Sequence, residues 1–174
     1  FEESVRPLRT VTESNASHKL LMAFSILQGS ATRTSLAEVV GLNVDHIAVS
    51  DGLSQLQRLS LVREGDDGRY RVLALTREYA RLEISCNNDF EIAAHNRSIK
   101  WCIDFTEKYG GLDWEDWRIR YSSLESEWTN ISGILEWCAA HDRYQEVKSI
   151  WKNIDNYVDL SGHWQIRISW LNWL

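Results

Sequence analysis

Leu61-Val62-Arg63-Glu64-Gly65-Asp66-Asp67-Gly68-Arg69-Tyr70-Arg71-Val72-Leu73 is the stretch on which the fold of this chain turns. Two short β-prone runs flank Gly-Asp-Asp-Gly, whose glycines supply the positive φ of a tight reversal, so the segment predicts a β-hairpin. Upstream of it the pattern is helical. From His18, Leu20, Ala23, Phe24 and Leu27 mark one helix face, and Gln28-Gly29-Ser30 stops it. Ser35 followed by Glu38 reads as the capping box of a short helix carrying Leu36, Val39 and Val40, with Gly41 at its left-handed end. A third helix is expected from about Val44 to Leu59, with Val49, Leu53, Leu56 and Leu59 inward. Downstream, Leu75, Tyr79 and Leu82 put one more helix against the group. This order is that of a winged-helix domain, a helix-turn-helix relative whose hairpin is the wing. The expected domain covers 16–86, after a lead-in or linker at 1–15 that holds the single proline, Pro7.

The remaining residues, 87–174, are built differently. All nine tryptophans lie between Trp101 and Trp173. Ala94, Ser98, Trp101, Cys102 and Phe105 mark a helix ended by Gly110-Gly111. Trp114, Trp117, Tyr121, Leu124, Trp128, Ile131 and Leu135 continue at spacings of three and four, with Ser122-Ser123 a place where the run can divide in two. Tyr144, Val147, Trp151, Ile154 and Val158 repeat the spacing, and Trp164, Ile168 and Leu171 begin it again. Short polar connections between such stripes require antiparallel neighbours. Tyr144-Gln145 and Trp164-Gln165 hint at a helical repeat, so an antiparallel, tetratricopeptide-like α-domain is expected here. Most of the tryptophans are expected in its core.

Composition narrows the function classes. No apolar run approaches the roughly 18 residues of a membrane span, and no signal-peptide order opens the sequence. Three cysteines, Cys86, Cys102 and Cys138, are too sparse for a disulfide framework and fit reduced thiols in a cytoplasm. The closing Trp170-Leu171-Asn172-Trp173-Leu174 reads as an apolar helical phrase cut from something longer.

Charge argues against nucleic acid. Reading duplex DNA takes cations for phosphates and Arg, Asn or Gln for base edges. From Asn43 to Leu59 the charged residues are Asp45, Asp51 and Arg58, and the hairpin's Arg63, Arg69 and Arg71 are matched by Glu64, Asp66 and Asp67. Gln55, Gln57, Arg58 and Arg71 are the residues that a DNA-binding regulator with a helical effector domain, the alternative reading, would use. From Asn87 onward nine Lys and Arg stand against fourteen Asp and Glu, which suits a protein partner with a basic face. No Gly-Lys pair exists, so no phosphate-binding loop of the Gly-Lys-Ser/Thr kind is present and the chain is expected to be non-catalytic. Cys138 and His141 are a helical turn apart, but no further ligands gather around them in sequence, and no metal site is expected. The acidic pairs Glu115-Asp116 and Glu125-Glu127 are expected to face water.

One phrase carries a resemblance. Tyr70-Arg71-Val72-Leu73-Ala74-Leu75-Thr76-Arg77-Glu78-Tyr79-Ala80, after a leucine-rich helix and a short hairpin, resembles the winged helix of bacterial STAND signal-transduction ATPases of the NB-ARC type. Leu124-Glu125-Ser126-Glu127, Asn130-Ile131, Ile134-Leu135-Glu136-Trp137, Ser161-Gly162-His163-Trp164 and Trp170-Leu171 are similar to the helical region that follows it in bacterial members. The resemblance implies a regulatory fragment of a signalling ATPase. An ADP- or ATP-binding domain would lie upstream in the parent protein, and further helical repeats downstream would sense a protein or ligand. The family commonly carries Met-His-Asp where this chain has Val72, Leu73 and Ala74. With no imidazole or carboxylate there, Arg77 is left as the nearest cation for a phosphate. Trp164, Trp170 and Trp173 are the candidate protein-interaction residues. A switch of this kind works only if each partner binds the two states of an interface with different affinity.

Overall fold

The structure, a computed structural model, describes residues 16–111 and 116–173. The lead-in at 1–15, Trp114, Glu115 and Leu174 lie outside them. The described chain is mainly helical, with one two-stranded antiparallel sheet, and divides into two compact units, Phe1–Ser98 and Ile99–Leu174. The elements are α1 (Ala16–Ile26), α2 (Arg33–Val40), α3 (Ile47–Arg58), β1 (Val62–Glu64), β2 (Tyr70–Val72), α4 (Ala74–Ser85), α5 (Asn88–Tyr109), α6 (Trp117–Ala140), α7 (Tyr144–Leu160) and α8 (Trp164–Trp173). The division falls within α5. Among the described residues no helix is long and apolar enough to cross a membrane.

In the first unit α1 is the hub. Helices α2, α3 and α4 all pack on it, and Leu20, Leu21, Met22, Ala23, Phe24 and Ile26 are buried. A helix covered on several sides has no solvent face, so the single inward stripe expected from the sequence understates its burial. α2 is capped earlier than Ser35 and Glu38 suggest. Thr32 is the N-cap, Ser35 N donates to its Oγ1 at 3.0 Å, and Thr32 N donates to Ser35 Oγ at 3.0 Å. Ser35 thus closes the capping box in place of the usual Glu or Gln. Gly41 ends α2 in the left-handed region, as expected. α3 buries Val49, Leu53 and Leu56, whereas Leu59 is half-buried because it sits one residue past the helix.

The hairpin pairs Val62 with Val72, Arg63 with Arg71 and Glu64 with Tyr70. Gly68 N donates to Gly65 O and Gly65 N to Arg69 O, both at 2.9 Å, and only Gly68 has positive φ, 67°. A type I turn followed by one left-handed residue reverses the chain, so one of the two glycines suffices. Tyr70 also bridges Ala31 in antiparallel fashion, which ties β2 to the segment before α2. α4 departs from the expected face: Thr76, Tyr79, Ala80 and Ile84 point inward, while Leu75 and Leu82 are 62% and 68% exposed. Small Thr76 and Ala80 let α4 lie close to α1, and a stripe containing a hydroxyl and a methyl is quieter in hydropathy than two leucines.

The second unit stacks α6, α7 and α8 in antiparallel order. α6 runs unbroken through Ser122-Ser123, with Ser123 Oγ donating to Ile119 O at 2.8 Å, so the serine pair satisfies itself on the helix. α7 buries Val147, Trp151, Ile154 and Val158 of the expected stripe, whereas Tyr144 at its first position is exposed. The Tyr121 and Tyr157 rings meet at 5.3 Å between α6 and α7. Between α7 and α8, Arg167 bonds Asp155 at 2.8 Å and Asp159 at 2.6 Å, Trp151 meets Trp170 at 6.2 Å, and Tyr144 meets Trp173 at 5.9 Å. Tyr144 and Trp164 each open a helix, and the turns before them match. Asp142 and Gly162 both have positive φ, 57° and 77°, and Arg143 N and His163 N reach back to Cys138 O and Val158 O.

Two expectations about side chains fail here. Of the eight described tryptophans only Trp101 and Trp151 are buried. An indole serves a surface as well as a core, because one edge is apolar and the other carries an N–H. Trp128 stacks on His163 at 5.2 Å and Trp137 on His141 at 3.9 Å, which places tryptophans over the turn histidines. Glu127, expected in water, is buried, with Asn130 Nδ2 donating to its Oε2 at 2.6 Å.

Candidate functional site

The DNA-reading candidates Gln55, Gln57, Arg58 and Arg71 stand on α3 and the hairpin. Gln55 Oε1 accepts from Ser17 Oγ at 2.5 Å and so faces α1. Gln57 Nε2 donates to Glu64 Oε2 at 3.2 Å. Arg71 forks onto Asp67, Nη2 to Oδ2 at 2.5 Å and Nη1 to Oδ1 at 3.0 Å. That fork holds the Asp67 carboxyl at about 2, from an ordinary 3.8. A depressed carboxyl is ionised above its ordinary value, so the pair persists there and dissolves as pH falls toward 2. Arg69 is buried, donating to Ser30 Oγ and Ser30 O at 2.7 Å each. The outward residues of α3 are Ile47, Asp51, Ser54 and Arg58, a face with no net charge. Of the four DNA-reading candidates only Arg58, at the end of α3, is exposed, cationic and without an ion pair among the described residues.

Arg77, the candidate phosphate contact, is turned into the fold. Its Nη1 donates to Phe24 O and, at 2.6 Å, to Leu27 O, while Nη2 donates to Gly29 O at 3.2 Å. These carbonyls end α1, where the last turn leaves acceptors without intrahelical donors and a cation meets the negative end of the helix dipole. Burial lowers the guanidinium pKa from its ordinary value, yet an arginine stays charged. Sequence reasoning missed this role because the three acceptors are backbone atoms about fifty residues away. Val72 pairs in β2, whereas Leu73 and Ala74 stand exposed at the start of α4. With Leu75 and Leu82 they put four apolar residues on the outside of α4 and just ahead of it, beside the exposed Glu78–Arg81 ion pair.

In the second unit the three candidate tryptophans divide. Trp170 is half-buried against Trp151, while Trp164 and Trp173 are 58% and 41% exposed. Trp170 and Trp173 meet edge to face at 5.7 Å and line an open groove of about 540 Å³ between α6 and α8. Trp164, with Ile168 and Leu171, lies on another face of α8 and is not part of that groove. Among the described residues no three His, Cys, Asp or Glu gather as metal ligands, and His141 Nδ1 lies 2.8 Å from Trp137 O.

The thiols separate sharply. Cys86 is exposed, Cys102 and Cys138 are buried. Burial, reinforced by Glu146, pushes Cys138 up to about 11, and burial with Cys138 and Glu127 nearby holds Cys102 well above the ordinary thiol range. Thiolate is the reactive form. A colorimetric disulfide reagent at neutral pH is therefore expected to titrate Cys86 alone in the folded chain and all three cysteines after unfolding. Rapid reaction of a second thiol without denaturant would show that the α5–α6 packing opens readily.

Comparison of the chain with protein-family models, with curated proteins and with solved structures gave no match in any of the three.

Proposed function

We propose that this chain is a non-catalytic regulatory and protein-interaction region of a STAND/NB-ARC-type signalling ATPase, acting in the cytoplasm. Its first unit is read as a winged helix that packs on a nucleotide-binding domain, and its second as the start of tetratricopeptide-like repeats that hold a sensed partner. The order of helices, hairpin and following helix supports the first part, and the matched turns ahead of α7 and α8 support the second. The observation that carries the reading is the chemistry the first unit turns outward. Its hairpin arginines are buried, paired or offset by acids, while Leu73, Leu75 and Leu82 are exposed. Exposed leucines around a self-paired Glu78–Arg81 seek protein, and a neutral helix does not seek phosphates.

The test is calorimetric titration of the chain with the phosphate-loop domain of the same parent polypeptide, loaded with ADP or with a non-hydrolysable ATP analogue. Binding roughly tenfold tighter in one nucleotide state is expected, within the usual range of coupling energies, and Leu75→Asp with Leu82→Asp should abolish it. Equal affinity in both states would reduce the unit to a static scaffold. Tight, sequence-selective, salt-dependent duplex binding would replace the reading with a DNA-binding regulator.

A further inference from the structure

The groove between α6 and α8 has a chemistry of its own. Ser132, Glu136 and Ala139 stand at i, i+4 and i+7 on α6, and Ile166, Trp170 and Trp173 stand at the same spacing on α8. The floor thus combines two indoles set edge to face with hydroxyls and a single charged group among the lining residues, the carboxylate of Glu136, which is exposed. An indole face attracts a cation through its ring quadrupole, and a carboxylate beside it takes the same cation's N–H groups. Both features ask for one kind of guest. Guanidinium suits the pair better than ammonium, because it is planar, stacks on aromatic rings and forks onto carboxylates. The polar positions Ser132, Gln165 and Ser169 along the walls suit the N–H and C=O groups of an extended backbone. The surrounding unit carries the complementary sign: residues 99–174 hold eight Lys and Arg against twelve Asp and Glu. The one arginine at the start of α8, Arg167, is held by Asp155 and Asp159 and does not line the groove.

From this we infer that the α6–α8 groove is a docking site for an extended peptide segment of a partner protein, with an arginine side chain seated between Glu136 and the Trp170–Trp173 pair. The volume, about 540 Å³, falls within the size range of clefts that take a small ligand, and the groove's open side leaves room for a chain to run along it. This inference rests on the protein-interaction reading above and names its partner chemistry. Because it concerns the second unit alone, its failure leaves the nucleotide-domain titration untouched.

The experiment uses the whole chain, labelled with ¹⁵N, and an acetylated, amidated pentapeptide with one arginine flanked by leucine and glycine. Trp170→Phe and Trp173→Phe assign the two indole N–H resonances. The expected result is a saturable shift of both, weakened by roughly fivefold when citrulline replaces arginine or when Glu136→Gln replaces the carboxylate, and weakened further by salt. Glu136 is exposed, so the substitution should leave the rest of the spectrum unchanged and a loss of binding cannot be assigned to unfolding. Failure of the two indoles to shift, equal affinity for the arginine and citrulline peptides, or unaltered binding by Glu136→Gln would each overturn the proposal.

Discussion

Arg77→Met is expected to lower the unfolding free energy of the first unit by about 2–4 kcal/mol, the cost of leaving charge-assisted acceptors unpaired in a partly buried site. Phe24 and Leu27 are fully buried, and the guanidinium supplies donors to both of their carbonyls and to that of Gly29. Methionine keeps much of the side-chain volume but offers no donor, so the end of α1 loses its cap. Arg77→Lys retains the charge yet carries one ammonium in place of a fork, and should recover less than half of the loss. Every tryptophan lies at 101–173, so indole emission reports the other unit, and denaturant unfolding must be followed by far-ultraviolet circular dichroism. A loss below about 0.5 kcal/mol, the ordinary range for surface substitutions, would mean that Arg77 leaves these carbonyls in solution and is open to other ligands.

That role explains why the element order was legible in the sequence while the sites were not. Hydrophobic spacing and punctuation found the helices because Leu20, Ala23, Phe24 and Leu27, and again Val49, Leu53 and Leu56, recur at helical period, and because Gly41 and Gly68 sit where the left-handed region is needed. The faces were less legible wherever burial fell on residues that hydropathy undervalues. On α4, Thr76 and Ala80 are inside and Leu75 and Leu82 outside, and on α6, Glu127 and Asn130 are inside. Tryptophan density misled in the opposite sense, since an indole over a histidine at a turn lengthens a hydrophobic stripe without entering the core. Long-range backbone acceptors, such as those of Arg77, and Val39 O, to which Arg97 Nε donates at 2.7 Å, leave no trace in local pattern at all. Net charge was the sequence property that passed most directly to the surface, because Asp67 takes Arg71, Ser30 takes Arg69 out of solvent, and Glu64 and Asp66 offset Arg63.

Gly110→Ala is expected to destabilise the second unit by about 3 kcal/mol, the upper end of what overpacking costs. In sequence, Gly110-Gly111 reads as a helix stop, and for Gly111 that is sufficient: its φ is +89° and a methyl there would meet nothing within 4 Å among the described residues. Gly110 differs. It is buried, and a Cβ built on it would lie 2.2 Å from Asn153 O and 2.5 Å from Thr106 O. Both are backbone oxygens, one of them in the middle of α7, so neither can rotate away as a side chain would. The end of α5 therefore rests against α7 backbone to backbone, and Gly111 N donates to the same Asn153 O at 3.1 Å. Asn153 Nδ2 reaches Thr106 Oγ1 at 3.4 Å, and Arg120 Nη1 donates to Gly110 O at 3.1 Å. A methyl group would wedge this contact open and strain the bonds around it together. Tryptophan emission suits the measurement, because Trp101 on α5 and Trp151 on α7 are buried on the two helices that meet there. Gly111→Ala supplies the comparison: its cost is confined to holding an alanine at positive φ, about 1 kcal/mol. If Gly110→Ala proved no worse than Gly111→Ala, the close approach of α5 to α7 would be refuted and the pair would be no more than a terminator.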